Sequence, residues 1–185
     1  MSVDGPEQAT GPDGAHAGSR GGTGDAIDVR PIAASDRAAW AELYRGYREF
    51  YRVAPSEEAV DTVWSWLQDP AHLTRGLLAV RNGRPIGLAH FRTFARPLSA
   101  SHGIFLDDLF TDPAARGSGA ATALLERLAE IARDEGATVV RWITAESNER
   151  ARALYDRVST RTPGSPTTWV RPTPLLASAL RRTLG

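Results

Sequence analysis

The chain has 185 residues, and its 22 basic and 22 acidic residues give a formal net charge of zero, with a near-neutral pI of about 6.9. That balance excludes global steering toward nucleic acid or an anionic membrane surface. There is no cysteine, which excludes disulfides, thiolate metal sites and a cysteine nucleophile, and every basic residue counted is an arginine.

The length suits one domain with a sizeable core. No apolar run reaches membrane-span length and no apolar leader opens the sequence, so a cytoplasmic location, with no membrane or nucleic-acid partner, is expected. Residues 1–26 are mostly Gly, Pro, Asp, Ala and Ser, a composition expected to stay disordered because it cannot offset its ordering entropy. The folded domain is expected over 27–171, followed by an extension over 172–185 that includes a short helix.

Ile27 to Ile32 alternates like a half-buried strand, and Ser35-Asp36 offers an N-cap for a helix carrying Trp40, Leu43, Tyr44, Tyr47, Phe50 and Tyr51. A second helix follows Pro55-Ser56-Glu57-Glu58, with Val60, Val63, Trp64 and Leu67 on one face, and stops at Asp69-Pro70. Gly76–Arg81 and Ile86–Thr93 read as strands joined by Asn82-Gly83, a strong hairpin signal. Ala95 to Gly103 reads as a polar connection into a central strand, Ile104–Phe110.

A helix is expected from Gly117 to about Glu135, burying Ala121, Leu124, Leu125, Leu128 and Ile131 and ending at Gly136. Val139–Ile143 reads as a buried strand, and Ser147 or Asn148 caps a short helix that carries Tyr155. Prolines at 163 and 166 disfavour a strand there. Thr167–Arg171 remains a candidate edge strand, and Pro174–Leu184 a candidate terminal helix. This order gives an α/β fold, a mixed sheet with helices on both faces.

The run Arg116-Gly117-Ser118-Gly119-Ala120-Ala121-Thr122 joins the central strand to the long helix. A small-residue turn opening a helix leaves amide N–H groups unpaired at the positive end of the helix dipole, an arrangement that suits a phosphate or diphosphate. Arg116 could add a cationic contact to it.

The pattern Arg-x-x-Gly-x-Ala (Arg116, Gly119, Ala121) after Leu106-Asp107-Asp108-Leu109-Phe110-Thr111-Asp112-Pro113 resembles the acetyl-CoA loop of the GNAT N-acetyltransferases. Asn148 followed by Tyr155 resembles that family's second signature, and Ile104-Phe105-Leu106-Asp107-Asp108-Leu109 is similar to its polyamine and thialysine acetyltransferases. The resemblance covers about Ile27 to Val158. It departs after Val158, where relatives continue with Gly-Phe and a closing strand.

The resemblance implies the GNAT fold, with acetyl-CoA as cosubstrate, no metal, and a primary amine of a small cationic molecule as acceptor in a ternary complex. Main-chain groups of Leu109, Phe110 and Thr111 would pair with the pantetheine arm, and Gly117 to Thr122 with Arg116 would hold the diphosphate. Asn148 and Ala151 would complete the cofactor contacts. As a bare sequence feature Asn148 is equally an N-cap. Tyr155 would be the acid that protonates the departing thiolate. Read without the family, Tyr155 either serves that role or packs on the core; Leu154 already fills a core position, so the tyrosine is expected to point elsewhere.

Asp107 and Asp108 would hold the amine and help it lose a proton. Neighbours on a strand face opposite sides, so only one can enter a site unless a bulge turns the chain, and family members carry such a bulge. Aspartate at 107 replaces the relatives' glutamate, shortening the reach and favouring a water-mediated role. Phe50 and Tyr51 fall where relatives contact the acceptor, although aromatics on an amphipathic helix serve equally as core. His90 and His102 lack metal-ligand spacing and receive no metal role.

Family members are often dimers, which makes a homodimer a further expectation. Two alternatives stand beside the leading reading: a non-catalytic acyl-CoA-binding or regulatory module, and a protein lysine acetyltransferase. Tyr155 and the acidic pair speak against the first, since a binding module has no use for them.

Overall fold

The computed structural model describes residues 26–161 and 168–172. The expected tail up to residue 25, the prolines at 163 and 166 and the helix expected over 174–184 lie outside the described residues. The elements are β1 (Asp28–Pro31), α1 (Arg37–Phe50), α2 (Glu57–Gln68), β2 (Arg75–Arg81), β3 (Arg84–Arg96), β4 (Ser101–Thr111), α3 (Ala120–Asp134), β5 (Val139–Ile143), α4 (Glu149–Val158), β6 (Thr160–Arg161) and β7 (Thr168–Pro172).

They form a seven-stranded sheet in the order β1-β2-β3-β4-β5-β7-β6. Pairing is antiparallel except between β4 and β5, whose parallel register requires the crossover that α3 supplies. The sheet separates two apolar clusters. On one face Leu124, Leu125 and Leu128 of α3 pack on Leu77, Ala89, Ile104 and Leu106 of the strands, with Trp142 of β5 and Tyr155 of α4 in the same cluster. On the other face Trp40 and Tyr44 of α1 and Val60 of α2 pack on Leu78, Leu88 and Phe110.

Local chemistry explains most boundaries. Ser56 caps α2 by accepting the Ala59 N–H at 3.1 Å, and the helix stops at Gln68, ahead of Asp69-Pro70. Asn82 and Gly83 both take positive φ (52° and 74°), the turn whose twist matches a two-residue hairpin. Asp36 does not cap α1. Residues 34–36 form a 3-10 turn, and the Asp36 carboxylate instead accepts both Arg30 guanidinium nitrogens (2.6 and 2.8 Å) and the Ala33 N–H.

Three further expectations are corrected. The 95–103 connection is mostly strand: β3 runs to Arg96 and β4 starts at Ser101, separated by a 3-10 turn over Pro97–Ser99. The long helix begins at Ala120, because Gly117 and Gly119 have φ of +84° and +92° and cannot be helical. Strand β7 is internal, between β5 and β6, so the edge belongs to β6.

Candidate active site

Parallel pairing of β4 with β5 covers only Ile104–Leu106 against Val140–Trp142. Beyond it the strands part, and a cavity of about 940 Å³ opens between the end of β4, the turn before α3 and the start of α4. Leu109, Phe110 and Thr111 line one wall, so main chain there has no β5 partner and is available to an extended ligand.

The turn forming the cavity floor is fixed locally. Asp112 accepts the Ala114 N–H at 2.9 Å, Pro113 opens a 3-10 turn, Ala115 is buried beneath it, and the Ser118 N–H reaches the Ala115 carbonyl at 3.2 Å. The Ala123 N–H is the first to bond inside the helix, to Gly119. The N–H groups of Gly117, Gly119, Ala121 and Thr122 consequently have no hydrogen-bond partner among the described residues. A Cβ built on Gly117 or Gly119 would meet no protein atom within 4 Å, so the space in front of these amides is open. Positive amides in an open cradle fit a diphosphate.

Arg116, Gly117, Gly119, Ala120, Ala121 and Thr122 all line the cavity. Ser118 does not: its Oγ turns back to accept the Ala120 N–H at 3.4 Å. Arg116 stacks on Phe50 at 5.9 Å, so this turn touches the end of α1, and Phe50 and Tyr51 line the same cavity as the turn.

Across the cavity, Asn148 caps α4 by accepting the Ala151 N–H at 3.2 Å, and both residues line the wall. Asn148 therefore combines the cap with a place in the cavity, its Nδ2 donors having no partner among the described residues. Tyr155 also lines the cavity, yet it belongs to the core, with its ring between Trp142 (5.3 Å) and Trp169 (5.4 Å). This corrects the expectation that it points away from the core. Leu154 lies at the cluster's margin, and it is Tyr155 that fills the interior. Burial, with Tyr51 nearby, pushes the phenol well above its ordinary pKa, so it keeps its proton at neutral pH.

The acidic pair lies at a bulge. His90 of β3 pairs with Asp108, but the next residue, Phe91, pairs with Leu106, leaving Asp107 as the extra residue. Leu106 and Leu109 both pack toward α3, so the two aspartates between them share the opposite face. Asp107 meets Arg92 at 3.2 Å, and Asp108 meets His90 at 2.8 Å, side chains two apart on one face of β3.

The environments of the two carboxylates differ. Burial raises the pKa of Asp107, and the half-exposed Arg92 only partly offsets it. Burial would also raise Asp108, but the hydrogen bonds from His90 and then from the Tyr47 hydroxyl outweigh it and hold this carboxyl below its usual range. Tyr47 is shifted strongly upward by burial and by the adjoining Asp108. Its ring lies 5.0 Å from Tyr51, which links the acidic pair to the aromatic side of the cavity.

Sequence reasoning set His90 aside and did not single out Tyr47. The available signal was alternation: Leu88 and His90 share a strand face, so a histidine occupies a position that packing would give to an apolar residue.

Residues 40–159 match the model of the Acetyltransferase (GNAT) family. The chain is 29% identical to a D-amino-acid N-acetyltransferase of Saccharomyces cerevisiae over 140 residues, covering 75% of this chain and 87% of that protein. It is 34% identical to a thialysine N-epsilon-acetyltransferase of Caenorhabditis elegans over 83 residues, 45% of this chain and 51% of that one. The fold matches a ribosomal-protein-alanine N-acetyltransferase of Brucella melitensis with a TM-score of 0.65 at 21% identity, covering 76% of this chain and 95% of that one. The chain belongs to the GNAT family of acetyltransferases and is an acetyl-CoA-dependent enzyme of that family. Among the described residues no helix is long and apolar enough to cross a membrane.

Proposed function

We propose that this enzyme transfers an acetyl group from acetyl-CoA to the primary amine of a small cationic molecule, by direct attack within a ternary complex. One observation carries the reading: the β4 bulge turns Asp107 and Asp108 to the same face, beside Tyr47, whose ring contacts Tyr51 in the wall of the cavity. Relatives named for D-amino-acid and thialysine acceptors act on small amines, which supports the same class here.

Acetyl-CoA, when bound, supplies an acyl carbon activated as a thioester. The amides of Gly117, Gly119, Ala121 and Thr122 hold its diphosphate, with Arg116 beside them. The open edge at Leu109 to Thr111 holds the pantetheine arm, with Asn148 and Ala151 opposite. Phe50 and Tyr51 wall the space between cofactor and acceptor.

Asp108, held ionised, binds the ammonium form of the acceptor. A carboxylate of lowered pKa cannot keep a proton at neutral pH, so it orients the amine and passes the proton outward. Asp107, raised by burial and nearer solvent, is the next acceptor on the way to water. Tyr155 donates its phenolic proton as the thiolate leaves.

The test is free-thiol release from acetyl-CoA with a panel of polyamines, amino acids, amine-bearing antibiotics and a lysine peptide. At least one small cationic amine is expected to drive release. Asp108→Asn should lower kcat/KM for it on the order of 10²-fold. Release with the peptide alone, or an Asp108→Asn enzyme at parental rate, would overturn the reading.

A further inference from the structure

Asp36, His90 and Thr144 are the polar side chains buried among the described residues, and of these His90 is sealed most completely, at 1% exposure. Its ring lies among Trp40 (5.9 Å between centroids) and Tyr44 (5.6 Å), where an apolar side chain would pack without polar cost. Both of its nitrogens are used. The Trp40 indole N–H donates to Nε2 at 3.0 Å inside the core, and Nδ1 faces Oδ2 of Asp108 at 2.8 Å. An indole can only donate, so Nε2 must be an acceptor and the ring proton must sit on Nδ1. Nδ1–H therefore donates to the carboxylate.

We infer that His90 is a positioning residue for the acceptor amine: Trp40 locks its tautomer, and the ring in turn fixes Asp108 with one carboxylate oxygen occupied. The inference rests on the reading of Asp108 as the carboxylate that binds the amine. In this relay the histidine is interior and the carboxylate faces outward, so the group meeting substrate is Asp108. His90 cannot act as a base toward the amine, because Nε2 is turned into the protein and occupied. The other groups around the carboxylate are Tyr47 from α1 and Asp107 from its own strand, the latter held by Arg92 of β3. Of these partners, His90 is the one that is fully buried.

The geometry makes the two amide replacements of His90 unequal. An asparagine nitrogen falls near the place of Nδ1, whereas a glutamine amide falls near Nε2. His90→Asn keeps a donor for Asp108, and His90→Gln keeps only the contact with Trp40. A hydrogen bond to a charged group carries enough energy that His90→Gln should lower kcat/KM for the amine about ten- to hundredfold, while His90→Asn stays within about threefold of the parent. The KM for acetyl-CoA should be unchanged in both, because His90 is not in the cofactor cavity.

The experiment pairs these kinetics with 15N spectra of histidine-labelled protein, which report the tautomer without reference to activity. The expected spectrum shows the His90 proton on Nδ1 in the parent and loss of that exclusive tautomer in Trp40→Phe. A proton on Nε2, or equal kinetics for the two amide variants, would overturn the inference. Asp108→Asn run alongside separates the two claims. Full activity there removes the role of Asp108, whereas an inactive Asp108→Asn with unaffected His90→Gln removes only the role of His90.

Discussion

The proposed cofactor side, which lines the cavity, and the proposed acceptor side, which lies beside it, are built from different parts of the polypeptide. The cofactor side is main chain: the unpaired amides of Gly117, Gly119, Ala121 and Thr122, in a turn held by hydrogen bonds that span only a few residues and open in front of Gly117 and Gly119. The acceptor side is side chains from three elements, with Trp40, His90 and Asp108 separated by 50 and 18 residues in sequence. A backbone cradle recognises what every acetyl-CoA molecule shares. A side-chain network can change with the amine, provided the core behind it changes too. The contrast implies that damage to one side should leave the other side's ligand affinity almost intact.

Tyr155, which stands where the two sides meet, gives the largest expected effect after Asp108. Tyr155→Phe keeps the ring between Trp142 and Trp169 and removes only the hydroxyl. Turnover at saturating substrates should fall on the order of 10²-fold with acetyl-CoA affinity within about twofold, measured by thiol release and by calorimetry. Full turnover would remove the acid role.

On the cofactor side, Gly119→Val forces a β-branched residue to φ of +92°, a strain of about 1–3 kcal/mol relieved only by moving the amides. Acetyl-CoA affinity should weaken by tenfold or more, with the KM for the amine little changed. A parental dissociation constant would show that the cradle does not hold the diphosphate.

The smallest effect tests the point of contact between the sides. Arg116→Ala removes the stack on Phe50, a contact worth about 0.5–1 kcal/mol at an exposed site, in addition to a phosphate contact. It should raise KM for both substrates a few-fold, where the cradle and acceptor variants each raise one. An effect confined to the amine would mean that Arg116 does not reach the cofactor.

The same contrast explains what could be read from the residues. The cradle was legible because its cause is local: glycines at positive φ, a proline-opened turn, and a helix start are written within ten residues. The hairpin at Asn82-Gly83 and the caps at Ser56 and Asn148 were legible for the same reason. The role of His90 was not, since nothing near it in sequence marks Trp40 as its partner. Asp36 misled for a related reason, its carboxylate being taken by Arg30 across space rather than by the adjoining helix. The β3–β4 hairpin was underestimated because the polar stretch around Pro97 to Ser99 looks like one long connection in a linear reading, whereas only a single 3-10 turn interrupts the strands. Tyr155 was assigned a direction from its neighbour Leu154, and packing between two tryptophans decided otherwise.

The most direct measurement is a crystal structure with coenzyme A and an accepted amine bound together. The account predicts diphosphate oxygens on the amides of Gly117, Gly119, Ala121 and Thr122, and the amine nitrogen within hydrogen-bond reach of Asp108 on the cavity's aromatic side. A diphosphate bound away from that turn, or an amine entering from a face that Asp108 does not reach, would contradict it.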